Sequence, residues 1–496
     1  MATCKYLQVD PELRDEPQEL QSISWKPFLR QLLVCCSLFT TYFVTGLSLG
    51  APTVVIPQLR KTRVVSDEMA SWLSSVFSYS AMPWVVILPT ISQRVGRKPP
   101  FYFAISISIA SFFILYFGNT TTHFIVSQLL QGILLGSNLT ISIILITECT
   151  SPKYRGIFLA IKSANIWWGM WAANAIGTFF HWNYIGLCGL ICSAMYVTVF
   201  IWPESPYWLA TRGRFDECAR AHRWLKGVDK CAEDELEKLI ISQKDHTQFH
   251  SRSTTVKEKI TNMLRLVTLK EFYMPISLSV LVIAQYHSSG KIVCSIYSIE
   301  LIKKITESES TAYMGMLILD GVSVLGMYVG SGLSKIVTRR KLLLVSSASG
   351  ILFIFALSLY IWLVEMFFIS ENKIVSLLLL SACSLSLSCG PVIMSMSIYA
   401  ELIPLRFKSS GVIITILMHF ALMGTTIKIA PLVFSTLRLY GAFSLYGVLF
   451  SALSYVLYKY LPETKDKTLQ EIEEYFKGSS KDELKDAKEL VELNKK

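Results

Sequence analysis

The sequence predicts an all-α membrane protein: twelve crossings in two six-helix halves, joined by a charged helical linker. Three observations carry this. First, 52% of the 496 residues are apolar and only 17% are charged, where a soluble chain carries about a quarter; the mean hydropathy is +0.45. Second, the charges are clustered, and the run from Pro99 to Thr147 contains no Asp, Glu, Lys or Arg. That run is long enough for two crossings of about 20 residues each, with Gly118-Asn119-Thr120-Thr121-Thr122-His123 as the turn. Third, the two halves of the chain carry matching punctuation.

Reading spans between charges places helices near 31–58, 69–92, 100–118, 124–147, 156–180 and 184–202. A second set falls near 273–300, 311–334, 341–366, 373–401, 410–434 and 438–460. The predicted organisation is therefore a segment 1–30, a half 31–202, a linker 203–272, a half 273–460 and a tail 461–496. The linker is charged and amphipathic. Phe215, Cys218, Ala219, His222 and Leu225 recur at helical spacing, as do Leu236, Leu239 and Ile240.

Basic residues fix the orientation. Arg94, Arg97, Lys98, Lys153, Arg155, Lys335, Arg339, Arg340, Lys341, Arg406, Lys408 and the linker share one side, and the other side receives fewer. The positive-inside rule puts that side, with both termini, in the cytoplasm. The net charge of +11 is spread between spans, which argues for a lipid bilayer as partner and against nucleic acid. Met1–Lys26 is polar, so the first crossing is expected to act as its own insertion signal. Cys35, Cys36, Cys188, Cys192, Cys294 and Cys383 lie in apolar segments and read as small buried hydrophobes. Lys481-Asp482-Glu483-Leu484 is internal and so is not a retrieval signal. Asn119-Thr120-Thr121 is a formal glycosylation sequon in a very short loop.

The repeat is specific. Glu148 through Arg155 closes helix 4 as Glu401 through Lys408 closes helix 10, an acid preceding a base by seven residues across a Pro-containing turn. Gln93-Arg94-Val95-Gly96-Arg97-Lys98 is echoed by Lys335-Ile336-Val337-Thr338-Arg339-Arg340. Pro203-Glu204-Ser205-Pro206 follows helix 6 as Pro462-Glu463-Thr464-Lys465 follows helix 12. Parallel six-helix repeats are the architecture of major facilitator transporters, which rock around a central site.

Over residues 30–475 the chain resembles the sugar porter family, the group containing the facilitative glucose transporters. The resemblance rests on Pro203-Glu204-Ser205-Pro206-Tyr207-Trp208-Leu209 and Pro462-Glu463-Thr464-Lys465. Ala70-Ser71-Trp72 and Lys428 resemble the insect trehalose and hexose branch. It implies a plasma-membrane sugar carrier, monomeric, with no cofactor or metal. It also implies a cytoplasmic latch built from Arg94, Arg97, Glu148, Arg155, Arg339, Arg340, Glu401 and Lys408; the alternative is that the bases only set topology.

The chain departs from the family pattern in several places. Gln93 stands where the family has an acid and Gln128 where it has an Arg in helix 4, two losses that read as compensating. Lys335 replaces the second-half acid. The family's helix 7 amides give way to Tyr286-His287-Ser288-Ser289, with Gln285 one place early and a bend near Gly290 able to bring it into use. By resemblance the substrate-binding candidates are Ser163, Asn165, Gln285, Tyr286, His287, Ser289, Tyr297, Met396 and His419. His287 and His419 read equally as ordinary buried histidines.

Lys162, Lys291, Asp320 and Lys428 sit inside apolar helices, where charge is a functional hypothesis by default. Lys291 and Asp320 each lie about nine residues from the outer end of their helices, roughly 13 Å deep at about 1.5 Å per residue. That common depth predicts an ion pair, either a static bridge or a substrate or proton site. Lys162 is placed to snorkel. Residues 31–59 contain no acid, which favours facilitated diffusion over proton coupling by resemblance, though Asp320 keeps coupling open. Alternatives are a carrier of another small polar or anionic solute and a non-transporting sugar sensor. No nucleophile motif, metal cluster or phosphate loop points to an enzyme.

Overall fold

The structure is a computed structural model that describes residues 25–62, 65–249, 270–403, 408–465 and 476. Among these residues ten helices are long and apolar enough to cross a membrane. They are supplemented by Pro152–Phe179, whose hydropathy is diluted by Trp, Asn and Lys162, and by a crossing broken into shorter helices at 270–306. The twelve crossings have the major facilitator arrangement. In the first half they are Lys26–Thr62, Asp67–Val95, Lys98–Phe117, Thr121–Leu139 with Ile141–Cys149, Pro152–Phe179, and Asn183–Ser193 continued by a 3-10 turn to Phe200. The second half has Lys270–Ser288 with Lys291–Ile296 and Ser298–Thr306, Glu309–Ile336, Arg339–Glu365, Lys373–Leu387 with Ile393–Leu402, Lys408–Thr436 and Arg438–Tyr460. We call the surface carrying the linker helices the linker face, and its opposite the far face.

The expected spans are recovered, but three are interrupted where the sequence reading drew them whole. The fourth breaks at Thr140, beside a buried amide hub. There Asn138 accepts from Thr41 and Ser142 and donates to the Thr41 carbonyl and Thr45, while the buried Ser137 hydroxyl beside it has no partner among the described residues. The seventh breaks at Gly290, whose φ of +70° is a left-handed conformation that a Cβ disfavours. The tenth carries a π turn over Ser388–Val392, where Pro391 removes one donor.

Within lipid, helices associate by close packing rather than by the hydrophobic effect. The first and fifth crossings meet at Gly46 and Gly169: a Cβ on either would overlap the carbonyl oxygen of Ile166 or Phe43 on its partner. Large apolar side chains such as Phe113, Phe117, Ile191, Leu352, Leu359 and Val448 remain exposed on the third, sixth, ninth and twelfth crossings, the surface that lipid would cover.

The linker helices Pro206–Thr211, Phe215–Lys226 and Lys230–Phe249 share a small core of Trp208, Leu209, Cys218, Ala221 and Leu236. They dock on the first half, where Arg30 and Gln31 donate to the carbonyls of Trp224 and Leu225.

Candidate functional site

On the linker face each half closes on itself. Arg97 grips Glu148 through two hydrogen bonds of 2.9 and 3.2 Å, and Ser205 donates to the same carboxylate at 2.5 Å. Glu204 accepts the backbone N–H groups of Arg97 and Lys98, capping the third crossing at its positive end. The second half repeats the arrangement. Arg339 pairs with Glu401, and Glu463 accepts the N–H groups of Arg339 and Arg340 at the start of the ninth crossing.

Three of the latch residues do something else. Arg94 is exposed and contributes only its carbonyl, which with that of Gln93 accepts from Arg212. Arg155 donates to the Thr150 carbonyl, and Arg340 to that of Tyr458; neither meets an acid among the described residues. The guanidinium of Arg155 meets a carbonyl at the end of the fourth crossing and that of Arg340 one near the end of the twelfth, so each has a backbone partner in place of a carboxylate. The side chain of Lys408 lies outside the described residues. Nor do Gln93 and Gln128 compensate each other. Gln93 sits at the linker face, where its carbonyl accepts from Trp208. Gln128 lies toward the far end of the fourth crossing and donates to the Ser48 carbonyl.

The hydrogen bonds and ion pairs joining described residues of opposite halves run from the far surface to the middle of the bundle. Lys61 pairs with Glu309 at 2.5 Å and Arg60 with Glu300 at 3.8 Å. Lys428 donates to Ser71 at 2.9 Å while its ammonium lies 3.8 Å from the centre of the Trp72 ring, well inside the range of a cation–π contact. Deeper lie Tyr79 with Thr425, Trp168 with Tyr328, and Asn174 with Asp320. Toward the linker face the described residues bond within their own half. Among the described residues the interface is thus fastened at its far end.

The expected Lys291–Asp320 pair does not form. Both residues are buried, but the Lys291 ammonium is held by the hydroxyls of Ser323 at 2.6 Å, Ser384 at 2.7 Å and Ser295 at 3.4 Å. Asp320 instead accepts from Asn174 of the fifth crossing at 2.6 Å. Equal depth on two helices does not fix which way the side chains point, and a third helix supplies the partner. A cavity of about 30 Å³ adjoins Lys291, lined also by Ser289, Ser295, Ser384, Cys294 and Cys383.

Of the substrate-binding candidates, His287 and His419 come together, Nε2 to Nδ1 at 3.1 Å, with Tyr286 packed against the His287 ring. Gln285 turns away from the interface: it donates to Ser347 and Ser454 of the ninth and twelfth crossings, inside the second half. Ser289 donates to the Tyr286 carbonyl and accepts from the N–H of Lys291, bracing the break. The Tyr297 hydroxyl reaches the Ile427 carbonyl. Ser163 bonds its own helix at Leu159, Asn165 is half-buried, and Met396 packs against the cluster of Ile283, Tyr399 and Ile403. Lys162 lies 5.1 Å from the centre of the buried Tyr42 ring, a partner within the first half where snorkelling had been expected. Sequence reasoning missed Asn174 and Trp167. The signal was available, because an amide and a Trp seven residues apart mark one polar face of an otherwise apolar helix.

Two parallel six-helix repeats, fastened at one face and internally braced at the other, define a membrane protein of the major facilitator fold. The chain belongs to the sugar transporter family: the family described as "Sugar (and other) transporter" matches residues 57–476. It is 23% identical over 423 residues to the facilitated trehalose transporter Tret1 of Drosophila willistoni, covering 84% of this chain and 47% of that one. It is 22% identical over 463 residues to trehalose transporter 1 of Drosophila melanogaster, covering 92% and 52%. The chain thus spans about half the length of the curated relatives it matches. The fold is shared with the proton:xylose symporter XylE bound to 6-bromo-6-deoxy-D-glucose, at TM-score 0.68, 16% identity and coverage of 91% and 99%. The inward-open conformation of XylE from E. coli gives 0.68, 15%, 90% and 99%.

Proposed function

We propose that the protein carries a sugar, a hexose or trehalose, across the plasma membrane by alternating access and facilitated diffusion, as a monomer with linker and termini in the cytoplasm. The observation that carries the reading is the lopsided interface among the described residues: bonds between halves reach from the far surface to the middle, while Arg97 with Glu148 and Arg339 with Glu401 pair within their own halves. This is one end of a rocking cycle, with residues 31–202 and 273–460 as the moving units. In the opposite state Arg97, Glu148, Arg339 and Glu401 become available as the cytoplasmic latch. The relatives named as trehalose transporters and the resemblance to a xylose carrier support a sugar as the solute. The joined imidazoles of His287 and His419, with Asn165 and Ser163 on the fifth crossing and Met396 on the tenth, are the proposed substrate contacts. Between them they offer donors, acceptors and an apolar surface. An anionic solute is less well supported, because the buried ammonium of Lys291 already has three hydroxyl partners.

The test is uptake of labelled glucose and trehalose in a host lacking its own hexose carriers, with and without a proton gradient. Saturable uptake indifferent to the gradient is the expected result. Binding of either sugar without flux, at confirmed surface expression, would replace the carrier with a sensor.

A further inference from the structure

The fifth crossing stands between two buried charges. Lys291 and Asp320 belong to the second half, and each has one partner from the first. The Lys291 ammonium lies 5.3 Å from the centre of the Trp167 ring, and Asp320 accepts from Asn174 at 2.6 Å. Trp167 and Asn174 are seven residues apart, two turns along one face of the same helix. Within the second half, Lys291 also bonds Ser323, which lies three residues beyond Asp320 on the eighth crossing. Residues three apart on a helix are side-by-side neighbours. The ammonium therefore already rests on the face that carries Asp320, about one turn away from it. The long lysine stem can cover that distance by changing rotamers.

When the far face opens, the fifth crossing leaves the eighth, and Trp167 and Asn174 leave together. Asp320 then loses its amide donor and Lys291 its aromatic neighbour. An uncompensated buried charge is costly, and each charge is the other's nearest remedy. We propose that Lys291 and Asp320 form a conformation-dependent ion pair: parted by Trp167 and Asn174 while the far face is closed, joined when it opens. The pair replaces what the opened state gives up and keeps the two states close in energy. This rests on the transport reading only in taking the two halves to separate at the far face.

The test reads conformation, not flux. Nitroxides attached through unnatural residues at the exposed far-side positions Thr122 and Lys373 report far-closed and far-open distances by electron-electron resonance. Asn174→Ala should raise the far-open to far-closed ratio, and Asp320→Asn should lower it, each about tenfold, within the range of typical couplings. Lys291→Met should shift the ratio in the same direction as Asp320→Asn, and the double variant, which strands no charge, should lie nearer the wild-type ratio than either single one. Lys291→Arg should retain the wild-type ratio. Independent, additive effects of Lys291 and Asp320, or an Asn174→Ala variant that leaves the ratio unmoved, would overturn the proposal. If Lys291→Met does not fold, the opposed shifts of Asn174→Ala and Asp320→Asn decide alone. Absent sugar uptake with both distance populations intact would count against the sugar reading and leave the switch standing.

Discussion

The two halves follow one plan but spend their helical continuity differently. The first crossing runs unbroken from Lys26 to Thr62 and is pressed onto the fifth at Gly46 and Gly169. Its counterpart, the seventh, is broken at Gly290 and again at Tyr297, and the tenth carries a π turn. The ion pairs differ likewise: Arg97 and Glu148 are 11% and 12% exposed, Arg339 and Glu401 28% and 25%. The halves therefore differ at the first and seventh crossings and at the ion pairs, while the fourth and tenth crossings are both interrupted.

The sharpest way to break this comparison is at the ion pairs. Arg97→Ala should cost about 3–5 kcal/mol, because it strands Glu148 in a site that is nearly nine-tenths buried. Arg339→Ala should cost less, about 1–3 kcal/mol, since Glu401 is a quarter exposed although the oxygen that meets Arg339 is itself buried. Thermal denaturation in detergent of both variants measures the gap, and equal losses would erase the distinction. Gly46→Ala should follow at about 1–3 kcal/mol, by overpacking against a backbone that cannot retreat. Gly332→Ala is its control, because a Cβ there meets nothing within 4 Å. Gly290→Ala should cost about 1–2 kcal/mol by the same assay, from forcing a Cβ into the left-handed region; a larger loss would mean the seventh crossing is as rigid as the first.

The smallest effect concerns the linker. His222 is buried, and neither ring nitrogen has a hydrogen-bond partner among the described residues. Burial, and then the neighbouring Lys226, push it from its ordinary value near 6.5 down to about 4, against the opposing pull of Glu235 and Glu233. Arg223 on the same helix adds to the downward push. The docked linker therefore binds fewer protons than the undocked one between those values. Docking should be at full strength above pH 6.5 and weaken as pH falls toward 4. Hydrogen exchange of Phe215–Lys226 across that range measures it, and His222→Gln should flatten the profile.

The crossings, their order and the repeat were legible because they follow from where charges are tolerated. The breaks were partly so: Ser289-Gly290 and Gly390-Pro391 are visible as helix breakers, but the apolar residues around them continue on both sides. At the sites, depth could be read and direction could not. Lys291 and Asp320 each resided in its expected helix, yet the partner of Asp320 came from a helix 146 residues away in the chain. Gln285 is one place from the family's position, and that offset is about 100° around a helix, which turns it into the second half. Arg97 with Glu148 and Arg339 with Glu401 were within the expected set. Arg155 and Arg340 meet carbonyls in this state, because a nearby carbonyl can satisfy a guanidinium as well as a carboxylate, and sequence does not say which is nearer.

The caps made by Glu204 and Glu463 have a consequence for biogenesis. Each acid follows the last crossing of its half and binds the start of the third, 107 and 106 residues earlier for Glu204, 124 and 123 for Glu463. As a chain emerges from the ribosome its earlier part folds first, so Glu204 arrives only when six crossings have been inserted. Its arrival seals the first bundle before the second has been made. Each half thus carries a built-in signal of its own completion, and the second is assembled beside a finished neighbour.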